Sequence, residues 1–327
     1  MAPSAITETV PSTLVVKGDK EPTATHGVEA VKEEKEPTPL EAISHGMVMP
    51  GIPTFPSYAE HRRHVLVHMS AIFRFFARSG FTEGQSGHIS VRDPEHPGLM
   101  WMNPLGRHFG MLTAGDMICL EIATGRVAGG NTSRPANAAG YLIHSAVHRR
   151  RPGDVHAVCH AHSLAGRAWS AFARPLDMLS QDACNFHGAQ AVYARYGGIV
   201  FGAEEGERIA DALGDANKGV ILMNHGLLTV GRTVDEAGFM FGLMDRACDM
   251  QLRVEAAASA GAGGGGKGRS LAKNIISDEE AAYNFRMASE ANALYREAQP
   301  DVEYELEAAG GEEALAKGFE SLQALVL

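Results

Sequence analysis

Long apolar runs are missing from this chain of 327 residues. None approaches the roughly 20 residues that carry a helix across a bilayer. The N-terminus also lacks the positive and apolar regions of a secretory signal, so the cytosol is the default expectation. Cysteine is scarce and scattered: Cys119, Cys159, Cys184 and Cys248 show no C-x-x-C spacing. That excludes a disulfide framework and fits buried, reduced thiols of an intracellular protein. A dense basic block is lacking too, and the formal charge is −10. Nucleic acid and anionic membrane are therefore not expected partners. The one basic run, Arg149-Arg150-Arg151, precedes Pro152-Gly153 and reads as cations complementing a helix C-terminus. No Gly-x-Gly-x-x-Gly follows a strand and no Walker loop is present. Residues 1–54 contain no aromatic residue, and their charged, proline-rich composition predicts a disordered tail.

With 45% hydrophobic residues, the remainder can bury a sizeable core. A helical period runs from His61 to Ser79 (Val65, Met69, Ile72, Phe73, Phe76) and is closed by Gly80. Short alternating segments follow: His88–Val91, Leu99–Met102 and Met117–Ile122, separated by turn signals such as Asp93-Pro94. Ala136–Arg150 reads as a helix, and Val155–His162 as a strand. Ala203–Leu213 is a short helix ending at Gly214, and Gly219–Met223 a buried strand answered by Leu227–Val230. Thr233-Val234-Asp235-Glu236 is a capping-box signature opening a helix through about Ala258. Residues 259–270 form a Gly-rich linker and 271–327 a C-terminal helical extension, with one helix from Asp278 to Ala298. Mixed strands and helices, with hairpins among the strands, predict an α/β or α+β sandwich rather than a doubly wound parallel sheet.

His160 and His162 stand two apart inside a β-branched apolar run, answered by Asn224-His225-Gly226. In a strand, residues two apart project to one side. Two imidazoles on one strand plus a third from another element is the ligand count of a catalytic metal site. The chain holds 15 histidines, and His156 shares the strand face of His160 and His162. Spacing alone leaves open which of the three bind.

These pieces, in this order, resemble the class II aldolase/adducin family from about Tyr58 to Glu255. The resemblance rests on Gly87-His88-Ile89-Ser90, Asn103-Pro104-Leu105-Gly106, Asn137-Ala138-Ala139-Gly140-Tyr141-Leu142-Ile143-His144-Ser145, Arg151-Pro152-Gly153-Asp154, His160-Ala161-His162 and Asn224-His225-Gly226-Leu227-Leu228. It implies a three-layer α/β/α sandwich around a largely antiparallel central sheet, in one domain spanning residues 55–258. It implies a homotetramer with sites at subunit borders. It also implies a divalent metal, Zn²⁺ with Fe²⁺ as the alternative, on His160, His162 and His225. The cation would polarise a carbonyl and stabilise an enediolate. His88, Ser90, Asn103, Gly106 and Asn137 fall at substrate-binding positions.

Two departures stand out. The family's aldolases carry an acid/base Glu four positions before a helical His; here that His is His144, and the Glu position holds Gly140. His88 stands where those aldolases have Asn, and Arg134-Pro135-Ala136-Asn137 lies where serines would help grip phosphate. Replacement acid/base groups are sought in Gln181–His187, with Asp182 as general base or second partner of a ligand histidine, and His187 as proton shuttle or ligand. Tyr193 and Tyr196 read as core aromatics. Three functions compete: a lyase cleaving or decarboxylating a small carbonyl or hydroxy-acid substrate through a metal-held enolate, a non-haem iron oxygenase, and a non-catalytic adducin-like scaffold.

Overall fold

The computed structural model describes residues 39–198, 202–259 and 271–326. The expected tail as far as residue 38 and the expected linker from residue 260 lie outside the described residues. The chain divides into two units, Met1–Val48 and Met49–Leu327. In the first, the described residues form helix α1 (Pro39–Ser44) and the turn after it. The second starts before Phe55: Ile52 N–H donates to Asn292 Oδ1 at 3.0 Å. The lack of aromatics therefore placed the start of order too late.

In chain order the larger unit holds α2 (Tyr58–Arg78), β1 (His88–Arg92), β2 (Leu99–Met102), β3 (Ile118–Glu121), β4 (Val127–Gly130), α3 (Ala138–Arg150), β5 (Ala157–Ala161) and α4 (Leu164–Ser170). There follow β6 (Gln190–Tyr193), α5 (Ala203–Leu213), β7 (Gly219–Leu222), β8 (Gly226–Gly231), α6 (Val234–Ser259), α7 (Asp278–Ala288), α8 (Ala291–Ala309) and α9 (Glu312–Ala316). The strands make one sheet in the order β4-β3-β2-β1-β5-β8-β7-β6. It is mixed: β6 and β7 run parallel, and every other pairing is antiparallel.

Alternation along the strands divides the core. Ala157, Cys159 and Ala161 of β5 join the cluster under α2 and α6, while Val158 joins the cluster under α3 and α5. Helices thus cover both faces of the sheet. All four cysteines are free and buried. Among the described residues, no helix is long and apolar enough to cross a membrane.

Local chemistry fixes the elements that carry the site. Ser57 caps α2 by accepting from Glu60 N–H at 3.2 Å, and Asn137 caps α3 by accepting from Gly140 N–H at 2.9 Å. Helix α3 ends on His148, Arg149 and Arg150, favourable at its negative pole. The β1–β2 turn is held by Asp93, which accepts from Arg62, from Trp101 Nε1 and from the backbone N–H of Glu95 and His96.

The single helix expected over Asp278–Ala298 is two. Ser289 leaves the helical path to donate to Asn185 Oδ1 at 2.8 Å, and the Glu290 carboxylate then caps α8 through Asn292 N–H and Ala293 N–H. Helix α8 packs against both α2 and α6.

Candidate metal centre

The site forms where β5 ends and β7 turns into β8. His160 lies within β5, His162 just beyond its end, and His225 sits in the turn between β7 and β8. Asn224 adopts φ 56°, a left-handed conformation that Asn tolerates better than most residues. His225 N–H closes the turn on Leu222 O at 3.0 Å. Gly226 follows at φ 152°, where a Cβ would lie 3.1 Å from Ala161 O. Asn and Gly around His225 therefore permit the sharp reversal that brings it against β5.

The three rings converge. Their centroids are 5.2 Å apart for His160 and His162, 4.8 Å for His160 and His225, and 5.0 Å for His162 and His225. One ring nitrogen of each lies within 4.8 Å of the other two. His160 Nδ1–H donates to Leu227 O at 2.8 Å, which leaves Nε2 as a lone pair. All three rings are kept neutral. Burial, then the neighbouring His225, His88 and His162, pushes His160 well below the usual histidine range. Burial and His162 lower His225 to about 4, and burial and Arg167 lower His162. Three neutral imidazoles on a cavity of about 580 Å³ fit a divalent cation with room left for a small molecule.

A second group of side chains stands behind the first. His88 pairs with His160 across β1 and β5, with ring centroids 4.8 Å apart. His88 Nδ1 is hydrogen-bonded to His144 Nε2 at 2.8 Å, His144 Nδ1 to Ser90 Oγ at 2.8 Å, and Ser90 Oγ to His148 Nε2 at 2.9 Å. His148 Nδ1 meets Arg92 Nη2 at 3.4 Å, and the same Nη2 donates to His148 O at 2.8 Å. Each of these side chains is buried. Burial is the leading cause that holds His88, His144 and His148 neutral. A Cβ on Gly140 would lie 2.7 Å from both Cγ and Cδ2 of His88. The His88 ring therefore fills the space that a side chain at position 140 would need.

Of the expected substrate positions, His88 and Asn137 line the cavity. Ser90, Asn103 and Gly106 do not, and their work is internal. Ser90 joins the two helical histidines, Asn103 Oδ1 accepts from Ile89 N–H at 3.3 Å, and Gly106 turns the chain at φ 74°. Asp182 and His187 are not among the residues that line this cavity. Their segment leads into β6, whose Gln190 pairs with Gly219 at the start of β7, whereas His225 follows the end of β7. Within the chain they therefore precede the end of the sheet opposite to the one where His225 sits. Asp182 is exposed there on a turn packed against α7.

His156 precedes β5 and lines a different cavity of about 280 Å³ with His61 and His64. Tyr193 is a core residue as expected, but Tyr196 is 59% exposed and lines the three-histidine cavity. Sequence reasoning missed Arg167, which also lines the cavity and whose Nε is buried without a hydrogen-bond partner. It also did not link His144 with His148, which Ser90 joins by hydrogen bonds. Their signal was present: two histidines four apart on one helix face, opposite His88 and Ser90 two apart on one strand face.

The fold and the three-histidine centre define a class of protein that comparison with known sequences makes specific. Residues 67–252 match the class II aldolase and adducin N-terminal domain. The chain belongs to the class II aldolase/adducin family. It is 43% identical over 206 residues to 4-hydroxy-3-prenylphenylpyruvate oxygenase/4-hydroxy-3-prenylbenzoate synthase of Streptomyces roseochromogenus, covering 63% of this chain and 73% of that one. It is also 43% identical over 206 residues to Decarboxylase NovR of Streptomyces niveus, covering 63% and 75%. Its fold is similar to that of L-fuculose 1-phosphate aldolase from Glaciozyma antarctica, with a TM-score of 0.70, 34% identity, and coverage of 84% and 98%.

Proposed function

We propose that this chain is a metal-dependent enzyme of lyase type that cleaves or decarboxylates a small, unphosphorylated carbonyl or hydroxy-acid substrate. The observation that carries the reading is the convergence of three neutral imidazoles, one with its lone pair already oriented by Leu227 O, on a cavity of about 580 Å³. When bound, a divalent cation, Zn²⁺ by preference, supplies a Lewis acid that draws electron density from a substrate carbonyl. Arg167 offers a fixed positive charge for a substrate carboxylate, tempered by its ion pair with Glu83 at 3.0 Å. Ala138, Ala139 and Ile143 give the cavity an apolar wall, and Asn137 adds an amide beside it. Arg134-Pro135-Ala136 supplies none of the hydroxyls that would grip a phosphate.

A decarboxylase among the relatives and an aldolase among the structural neighbours support the lyase reading. The relative named as an oxygenase favours a second one, an iron-dependent oxygenase at the same site, since three neutral histidines suit Fe²⁺ as well. Tyr196, 59% exposed on the cavity lining, supports a homotetramer that covers it. We place the protein in the cytoplasm.

The deciding experiment is metal content by elemental mass spectrometry, wild type beside His160→Ala. Zinc near one per chain, lost in the variant, supports the lyase reading. Iron, with turnover that requires O₂, selects the oxygenase. Wild-type protein that binds no metal and keeps its turnover overturns both.

A further inference from the structure

We propose that His88 is a hydrogen-bond donor to substrate oxygen, its Nε2–H aimed into the metal cavity and its tautomer set from Arg92 through His148, Ser90 and His144. The inference rests on the reading of that cavity as a catalytic site. It goes beyond it by giving the place of the missing carboxylate to a particular atom.

The argument is one of donors and acceptors. A guanidinium has N–H groups and no acceptor, whereas a neutral imidazole has one of each. Arg92 Nη2 at 3.4 Å from His148 Nδ1 therefore favours that nitrogen as the acceptor, which puts the proton of His148 on Nε2. That Nε2–H donates to Ser90 Oγ at 2.9 Å, so the Ser90 hydroxyl proton turns to His144 Nδ1 at 2.8 Å. His144 is then protonated on Nε2, which donates to His88 Nδ1 at 2.8 Å. Nδ1 of His88 being an acceptor, its one proton is on Nε2, and the ring lines the cavity. Each link leaves one choice to the next.

The opposite orientation has one thing in its favour. The Val155 carbonyl lies beside His148 and stabilises a proton on that ring. Such a proton on Nδ1 would point at the guanidinium, a full cation anchored on His148 O at 2.8 Å. We therefore assign the orientation that Arg92 dictates. The arrangement suits a site in which negative charge develops on a substrate oxygen, because a donor fixed before the substrate arrives needs no reorganisation. The His88 ring also stands against Gly140, where the family's aldolases carry their carboxylate.

In this assignment His88 is the group that touches substrate, and His144, Ser90, His148 and Arg92 position it. The test is a ¹⁵N spectrum of the full chain labelled on histidine, read for the tautomer of each ring, with and without Zn²⁺. The expected result is Nε2–H at His88, His144 and His148 and Nδ1–H at His160. Ser90→Ala should release the His88 tautomer to a mixture, leave His160 unchanged, and retain the zinc content. Its affinity for oxalate, used as a probe for the zinc-loaded protein, should fall about tenfold or more. Ser90→Thr, which keeps the hydroxyl, should restore the single tautomer.

A wild-type His88 carrying its proton on Nδ1, or zinc loss in Ser90→Ala as deep as in His160→Ala, overturns the inference. The wild-type spectrum decides even where a variant does not fold. A wild type that binds no metal instead overturns the proposed function. The tautomers of the metal-free protein separate the two failures.

Discussion

His88 and His160 face each other in register across β1 and β5, and their hydrogen bonds run in opposite senses. The Leu227 carbonyl takes the Nδ1 proton of His160, and the relay from Arg92 presents a donor to Nδ1 of His88. One ring therefore offers the cavity a lone pair and the other a proton. His88→Asn should leave metal content unchanged while turnover falls, whereas His160→Asn should lower metal affinity by about tenfold or more. Metal content after dialysis against a competing chelator separates the two.

Gly140 in the first turn of helix α3 looks like an improvable position, since replacing a helical Gly by Ala gains up to roughly 0.5–1 kcal/mol, the full amount applying to a helix interior. Here the added Cβ would meet His88 at 2.7 Å and Met102 Cε at 3.1 Å. Overpacking of that kind costs about 1–3 kcal/mol, so the clash outweighs the propensity. Gly140→Ala should lower stability in urea melts and disturb the His88 resonances. Unchanged stability and spectrum would mean that the ring has room to move.

Asn224 is one of the few residues other than glycine held at positive φ, at 56°. An L-residue without its local side-chain bonding loses roughly 1–2 kcal/mol in that conformation. Asn224→Ala should therefore destabilise the protein by about 1 kcal/mol and weaken metal binding through His225, while Asn224→Gly should do neither. Parallel urea melts and metal titrations of the two variants check the pair.

Away from the three converging histidines, His68 Nδ1 and Asp235 Oδ1 lie 2.5 Å apart in the interior. Burial opposes the charge on each, yet the pair prevails: His68 is raised above 6.5 and Asp235 lowered below 3.8. A raised histidine contributes stability below 6.5 that is lost as pH climbs through its folded value. A lowered carboxylate contributes stability above 3.8 that is lost as pH falls through its own. The stability gap between wild type and Asp235→Asn should be widest between those two values and narrow at higher pH. Thermal melts across pH 4 to about 9 would show it. A gap that widens on the alkaline side contradicts the pairing.

Much of the fold was legible because the helices announce themselves. The period of Val65, Met69, Ile72 and Phe76, the Thr233 cap and Gly214 mark elements whose ends the structure places within a few residues. The break at Ser289-Glu290 was not legible, because it depends on Asn185, a distant partner that no local pattern names. At the site, the His-x-His spacing and the Asn-His-Gly turn supplied candidates, and the family resemblance, not the spacing, singled out His160, His162 and His225 over His156. For Asp182 and His187 the sequence names the residues but not which end of the sheet their segment reaches, because that follows from the parallel pairing of β6 with β7. The relay behind His88 needs β1 and α3 in register, and only tertiary packing supplies that.

The shared space of His88 and Gly140 also gives substitution a direction. The resemblance pairs Glu at position 140 with Asn at 88, whereas here Gly stands beside a His ring that a Cβ at 140 would meet at 2.7 Å. Losing the Glu first leaves a hole that the fold can carry. Gaining the His first drives a ring into an occupied site. A lineage or an engineer moving between the two chemistries therefore has one passable order in each direction, with the hole as the shared intermediate.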